Sequence, residues 1–453
     1  MSTITTINPY TQEELKTYNL IGDADLKQKL NLADKQFQSW KTTEIQDRCS
    51  LMYKVAELLI ERKETYAKLM AKEMGKPITQ GISEIEKCAW VCDFYAKNAE
   101  DFLADQLIET EAEESFISYD PLGVILAIMP WNYPFWQVMR FAAPTLMAGN
   151  TALLKHASST TQCALEIQKL FEDAGFPEGC FQTLLVSHSQ IETIISDDIV
   201  KAVSLTGSEG VGRKIAEIAG KNLKKVVLEL GGNNACIVLK DADLDKHIET
   251  MAWARMQNAG QSCIAAKRFI VVEDIYGEFL SKFKAKVESY VVGNPMDKKT
   301  EIATMASVGS AEDVGEQVKK SLDKGAKVLY GNKREDARYQ PTILENVTAE
   351  MPVFKEEVFG PVAAIIKVKD EDEAYDMASK SRFGLGSMVF TKNIDKAKKR
   401  IGDIADGAFF INELVKSDPR LPFGGTKASG YGRELSKEGI MEFVNAKTVY
   451  IKK

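Results

Sequence analysis

Histidine is nearly absent from this sequence: His156, His188 and His247 are the only three among 453 residues. Three scattered imidazoles exclude a His-rich metal centre and leave any catalysis to other groups. Long apolar runs are equally scarce. The one uncharged stretch of membrane-spanning length, Pro121–Met139, holds Pro121, Pro130 and Pro134 around the turn Trp131-Asn132-Tyr133-Pro134. It predicts a buried strand, Val124–Met129, entering a turn, and not a transmembrane helix. There is no surplus of positive charge, with 58 Lys+Arg against 65 Asp+Glu and a net charge of -7. Nucleic acid and membrane are therefore not expected as partners. The densest basic run, Lys396 to Arg400, reads as the solvated face of a helix. Seven cysteines, an odd number without regular spacing, give no disulfide framework, and Met1 to Thr5 show neither a basic nor an apolar signal region. Free thiols in a reduced, cytoplasmic protein are the expectation.

What is present is enough apolar sequence, 45% of the chain, for two or three self-sufficient domains. The first hundred residues read as helices. Leu51, Val55, Leu58 and Leu59 recur at helical spacing, and Gly75-Lys76-Pro77 stops that helix. From residue 121 apolar strands alternate with amphipathic helices: Val124–Met129, a helix around Pro144, Thr151–Lys155, a helix from about Thr161 to Asp173, and Val203–Leu205. The pattern restarts after Gly231-Gly232 with Ala235–Leu239, Phe269–Val272, Ala363–Val368 and Ala408–Asn412. Such alternation predicts two α/β units, the first doubly wound and Rossmann-type. Leu107–Tyr119 and Thr448–Ile451 read as strands outside both units, in need of partners.

Four elements could carry chemistry. Cys263 ends the turn Asn258-Ala259-Gly260-Gln261-Ser262-Cys263, where backbone N–H groups or a helix N-terminus could stabilise a thiolate; the plainer reading is a buried free cysteine. The other six cysteines lie in packing contexts, and Cys88 and Cys92 lack a second pair for zinc. Glu229 puts one carboxylate inside the apolar strand Val226–Leu230, where poor solvation would raise its pKa and suit it to general-base work, unless the strand is an edge facing water. Val203–Gly212 is a strand, a Gly-rich turn and a helix start that could receive a phosphate, although the spacing of Gly207 and Gly212 is not the usual fingerprint. Lys155, at another strand end, could add a cation. Asn132 could offer its amide to an oxyanion, or simply bond its own turn.

Seven blocks in order then identify the chain as resembling the aldehyde dehydrogenase superfamily along its whole length. They are Glu73–Pro77, Pro130–Pro134, Thr206-Gly207-Ser208 with Gly212, Glu229–Gly232, Gly260–Cys263, Glu356–Pro361 and Pro422–Gly425. The resemblance implies Cys263 as nucleophile, Glu229 as general base and Asn132 with the Cys263 N–H as oxyanion hole. It implies NAD or NADP as cofactor, with Trp131, Gly207, Ser208, Gly212 and Leu230 on the cofactor side and Glu357 and Phe359 around the nicotinamide ribose and ring. It also implies a dinucleotide-binding domain (1–106 and 121–230), a catalytic domain (231–430) and a small β oligomerisation arm (107–120 and 431–453), hence a homodimer or a dimer of dimers. Members that pass the acyl group to coenzyme A generally lack the glutamate, so Glu229 implies hydrolysis.

The departures are informative. His156-Ala157-Ser158 follows Lys155 where many NAD-preferring members carry a proline and, three residues after the lysine, a ribose-binding glutamate. A carboxylate there would repel a 2′-phosphate and Ser158 would not, so NADP is expected, with Lys155 and Ser158 at the phosphate. Asn233 replaces a usual lysine without an evident reason. Ile264 follows the nucleophile, so no adjacent cysteine can lock it. The run Val415–Phe423 is similar to that of the shorter bacterial members that oxidise succinate semialdehyde. Such a substrate needs a cation or hydroxyl for its far carboxylate, and Arg140 and Ser417 are the expected groups. Glutarate semialdehyde, a hydroxyaldehyde, or an inactive nucleotide-binding protein are the alternatives.

Overall fold

The computed structural model describes residues 2–453. Its first α/β unit is a six-stranded sheet in the order Gly430–Tyr431, Lys225–Glu229, Val200–Thr206, Val124–Met129, Thr151–His156, Phe181–Thr183. All neighbours are parallel except Gly430–Tyr431, which runs antiparallel to Lys225–Glu229. Val124 to Ala127 are fully buried, and alternate residues serve opposite faces. Ile125 and Ala127 pack with the helices Ile45–Met74, Ile78–Leu103 and Trp136–Met147, while Val124 and Leu126 pack with Asp23–Trp40 and Glu209–Lys221. Cover on both faces explains why this strand is continuously apolar.

The second unit is a seven-stranded sheet ordered Lys327–Tyr330, Thr342–Glu345, Val362–Val368, Ala266–Val272, Asn234–Val238, Ser387–Phe390, Phe409–Ile411, parallel except at Lys327–Tyr330. Both units and their strands match the α/β expectation. The helix Ile45–Met74 stops at Gly75 in the left-handed conformation (φ 76°), where a Cβ would lie 2.1 Å from Thr304 Oγ1.

One expectation changes and another is met. The N-terminal region is not helical throughout: Thr3–Ile7 and Glu14–Asn19 form an antiparallel hairpin. These strands are mostly exposed and Thr-rich, so they lack the apolar alternation that betrays a half-buried strand. The strands outside the two units also find each other. Val444–Ile451 pairs along its length with Glu114–Pro121, which also pairs with Gln106–Leu107. Within 431–453, the helix Ser436–Met441 packs on the helices Ile78–Leu103 and Trp136–Met147. The three-stranded arm leaves Leu107, Tyr450 and Ile451 exposed. Among the described residues, no helix is long and apolar enough to cross a membrane.

One buried ion pair joins the helical layer to the turn after Val124–Met129. Lys76 and Glu84 are paired at 0% and 1% side-chain exposure. Glu84 Oε1 also accepts the N–H groups of Phe135 (2.9 Å) and Trp136 (3.0 Å), capping the helix Trp136–Met147. The Lys76 ammonium lies 3.7 Å from the centre of the Tyr133 ring. Glu84→Ala strands a buried ammonium and two amides, and is expected to cost about 3–5 kcal/mol, read as a lower urea midpoint.

Candidate active site

The nucleophile turn lies beyond the helix Leu244–Met256 and is held in a conformation most residues avoid. Asn258, Ala259 and Gly260 all have positive φ (52°, 51° and 70°), and a Cβ on Gly260 would sit 2.3 Å from the Gly360 carbonyl. Fully buried Arg255 fastens the two loops by donating to the carbonyls of Val358 (2.8 Å), Val362 (2.7 Å) and Gly360. Lys267, 1% exposed, donates to the carbonyls of Ser262 and Cys263, both at 2.8 Å, and reaches Glu357 Oε1 at 3.2 Å. Asn234 Nδ2 donates to the same Cys263 carbonyl at 3.2 Å. A Cβ on Gly232 would lie 2.5 Å from that oxygen, so the Gly231-Gly232 turn and the Cys263 turn require each other.

Cys263 lines a cavity of about 380 Å³ with Trp136, Arg140, Phe423 and Ser417. Burial pushes its thiol up to about 11, against the opposing fields of Arg140 and Lys267. Desolvation thus outweighs the nearby cations, whereas the turn alone suggested a stabilised thiolate. Glu229, 2% exposed, has neither carboxylate oxygen hydrogen-bonded. Desolvation, then the Glu434 carboxylate, hold its pKa well above the usual range, with Arg140 opposing. It is a buried group and not an edge glutamate.

Asn132 is 4% exposed, and its Nδ2 donates to the Gln261 carbonyl at 3.1 Å while Asn258 Nδ2 donates to the Asn132 carbonyl at 2.9 Å. One amide hydrogen thus ties Asn132 to the nucleophile turn and leaves the other for a ligand. Asn233 now has a reason: its Nδ2 donates to the Phe354 carbonyl at 2.7 Å, tying this turn to the short helix Pro352–Lys355.

The expected cofactor residues gather around the same strand ends. The strand Val200–Thr206 leads through Gly207 and Ser208 into the helix Glu209–Lys221. Gly212 serves close packing, since a Cβ there would lie 2.5 Å from Leu230 Cδ2. Glu357 accepts the Gly232 N–H at 3.0 Å, and Gly231 leaves room for its other oxygen, which a Cβ would meet at 2.3 Å. Phe359 meets Trp131 edge-on at 5.7 Å. Lys155 is 7% exposed and, among the described residues, has no carboxylate within 4.0 Å; Ser158 opens the next turn. His156 is structural: burial lowers it to about 4, and its Nε2 lies 3.0 Å from the Pro134 carbonyl.

Of the expected substrate residues, Arg140 is already engaged. It is 2% exposed, paired with Glu434, and donates to Thr206 Oγ1 at 3.3 Å. It is therefore a paired cation that still lines the cavity with Cys263. Ser417 lies in the cavity wall and accepts a hydrogen bond from Lys87 Nζ at 2.8 Å. Lys87, Lys267, Arg255 and Glu434 were missed in the sequence. Each is an ordinary charged residue until the fold buries it.

The aldehyde dehydrogenase family model matches residues 1–449. The chain belongs to the aldehyde dehydrogenase family. This aldehyde dehydrogenase is 48% identical over 451 residues to a Synechocystis protein named "Probable succinate-semialdehyde dehydrogenase [NADP(+)]", covering 99% of each chain. It is 44% identical over 454 residues to "Succinate-semialdehyde dehydrogenase [NADP(+)] 1" of Mycobacterium tuberculosis, again covering 99% of each. It superposes with a TM-score of 0.97 on the crystal structure of succinic semialdehyde dehydrogenase from Streptococcus pyogenes in complex with NADP+, at 40% identity over 99% of this chain and 100% of that one.

The thiol's state can be measured directly. In the cofactor-free enzyme, alkylation of Cys263 by iodoacetamide, followed on its peptide, is expected to rise about tenfold per pH unit above neutrality. It should not level off until near pH 11; a plateau near pH 7 would contradict the desolvated thiol.

Proposed function

We propose that this aldehyde dehydrogenase oxidises succinate semialdehyde to succinate with NADP. The observation that carries the reading is full-length similarity to NADP-dependent succinate-semialdehyde dehydrogenases, over a chain in which buried Glu229 acts on the half-buried Cys263 and Asn132 is bonded to the turn that carries it. The cofactor-side residues fit such a group. Lys155 is an unpaired, nearly buried cation suited to a phosphate, Ser158 adds a hydroxyl and no negative charge, and Gly231-Gly232 beneath Glu357 leave a surface that a Cβ would fill. NADP, when bound, accepts the hydride.

The chain's own residues supply the remainder. The Cys263 thiol gives its proton to water in the cavity, its sulfur forms a bond to the aldehyde carbon, and the carbonyl oxygen becomes an oxyanion. Asn132 donates the amide hydrogen left free by Gln261, a contact worth on the order of 3 kcal/mol in comparable sites. Loss of hydride leaves an acyl thioester on Cys263. Glu229 then takes a proton from water, the hydroxide adds to the thioester carbonyl, and the C–S bond breaks to return the Cys263 thiolate and release succinate. A carboxylate whose pKa burial has raised is a stronger base in its ionised form than an ordinary one. Fully buried Lys267 holds the two carbonyls flanking the nucleophile and steadies the turn through both steps.

In this reading residues 1–106 and 121–230 carry the cofactor, 231–430 carry the nucleophile, and 107–120 with 431–453 form an oligomerisation arm. The exposed Leu107, Tyr450 and Ile451 on the arm support a homodimer or a dimer of dimers. Seven free cysteines favour a reduced, cytoplasmic setting.

The test is NADPH absorbance on mixing enzyme, NADP and succinate semialdehyde, repeated with NAD and with glutarate semialdehyde and butanal. Succinate semialdehyde with NADP should give the highest kcat/KM, and Cys263→Ala should abolish it. A preference for NAD, for another aldehyde, or full activity in Cys263→Ala overturns the reading.

A further inference from the structure

Three cations line the cavity that holds Cys263: Lys87, Arg140 and Lys416. Two are paired with carboxylates. Arg140 is paired with Glu434, and Lys416, about half exposed, is paired with Glu413 at 3.1 Å. Lys87 has no carboxylate within 4.0 Å among the described residues. Glu84, one turn earlier on the same helix, is the only acidic side chain among the described residues lining the cavity, and both its oxygens are committed to Lys76 and to the Phe135 and Trp136 amides. Asp418, beside Ser417, is bound at both oxygens by Arg420 at 2.9 and 2.7 Å. The Lys87 ammonium instead rests 4.2 Å from the centre of the Trp136 ring and donates to Ser417 Oγ at 2.8 Å.

We propose that Lys87, with the Ser417 hydroxyl, receives the far carboxylate of the aldehyde bound at Cys263. The assignment deepens the reading above and rests on it. An ammonium carries three donors, and Ser417 uses one. Because the Ser417 oxygen accepts from Lys87, its own hydrogen is free to donate. One carboxylate can therefore take both groups and supply the negative charge that the cavity lacks, in surroundings where little water competes. Arg140, the obvious candidate in the sequence, already shares its guanidinium between Glu434 and Thr206. The groups facing Lys87 are Arg140, Glu84, Asp418 and Cys88. Burial and Arg140 lower Lys87 to about 8, so the ammonium persists at neutral pH and is lost as pH rises through that value.

The test compares wild type, Lys87→Met and Lys87→Arg with succinate semialdehyde and butanal. In Lys87→Met the ratio of kcat/KM for the two aldehydes should fall roughly 10- to 100-fold, as expected for one charge-assisted hydrogen bond lost. The loss should lie mainly in KM for succinate semialdehyde, and Lys87→Arg should restore part of it. In wild type, KM for succinate semialdehyde should climb above about pH 8 with no matching rise for butanal. Equal losses for both aldehydes, or an unchanged ratio, overturn the assignment, and an intact circular-dichroism melt of Lys87→Met excludes misfolding as the cause. If wild type prefers glutarate semialdehyde and Lys87→Met loses that preference, the succinate semialdehyde reading fails while the role of Lys87 stands. If wild type prefers butanal, both fail.

Discussion

A carboxylate without a hydrogen-bond partner, Glu229, sits at the end of a strand sealed from water, and the rest of the site is arranged around that charge. Its position is fixed on both sides, since Thr206 pairs with it across the parallel ladder and Gly430 pairs with it from the antiparallel edge. Glu434 lies close enough to raise its pKa further, and Glu434 is itself held by Arg140. Three ionisable groups therefore share one poorly solvated region, where each charge acts strongly on the others. Burial likewise raises the pKa of the Cys263 thiol.

Rigidity around this region comes from carbonyls satisfied by buried cations. Arg255 ties the Val358–Val362 segment down, and Lys267 ties the carbonyls of Ser262 and Cys263. These contacts explain why a turn with three successive left-handed residues persists: the neighbouring backbone is too close for a side chain at Gly260, and the cations hold both loops to that spacing. Glu357 touches Lys267 and the Gly232 N–H at once, so the cofactor side and the nucleophile side share one buried contact.

What could be read in the sequence was what depends on near neighbours. Val124–Met129 is a strand because its apolar run is covered on both faces, the helix Thr161–Asp173 follows its own period, and Gly75 ends a helix as a left-handed cap. Glu229 and Cys263 stood out because each breaks its local pattern, a carboxylate in an apolar strand and a thiol after a glycine turn. What could not be read depends on pairing between distant segments. The partner of Arg140 was hidden because Glu434 lies at the far end of the chain. Lys87 looked like any helix lysine, and its partner Ser417 is 330 residues away. The state of the Cys263 thiol turned on a balance between burial and two cations, which no local motif encodes. The mutual pairing of Val444–Ile451 and Glu114–Pro121 was hidden for the same reason.

The central claim is a division of labour in which Cys263 carries the acyl group and Glu229 releases it. The direct measurement is mass spectrometry of Glu229→Gln quenched within seconds of mixing with NADP and succinate semialdehyde. The account predicts a succinyl group accumulating on the Cys263 peptide, at close to one per chain and far above wild type. A succinyl group on another residue, or a Cys263 peptide that stays unmodified while NADPH forms at the wild-type rate, would contradict it.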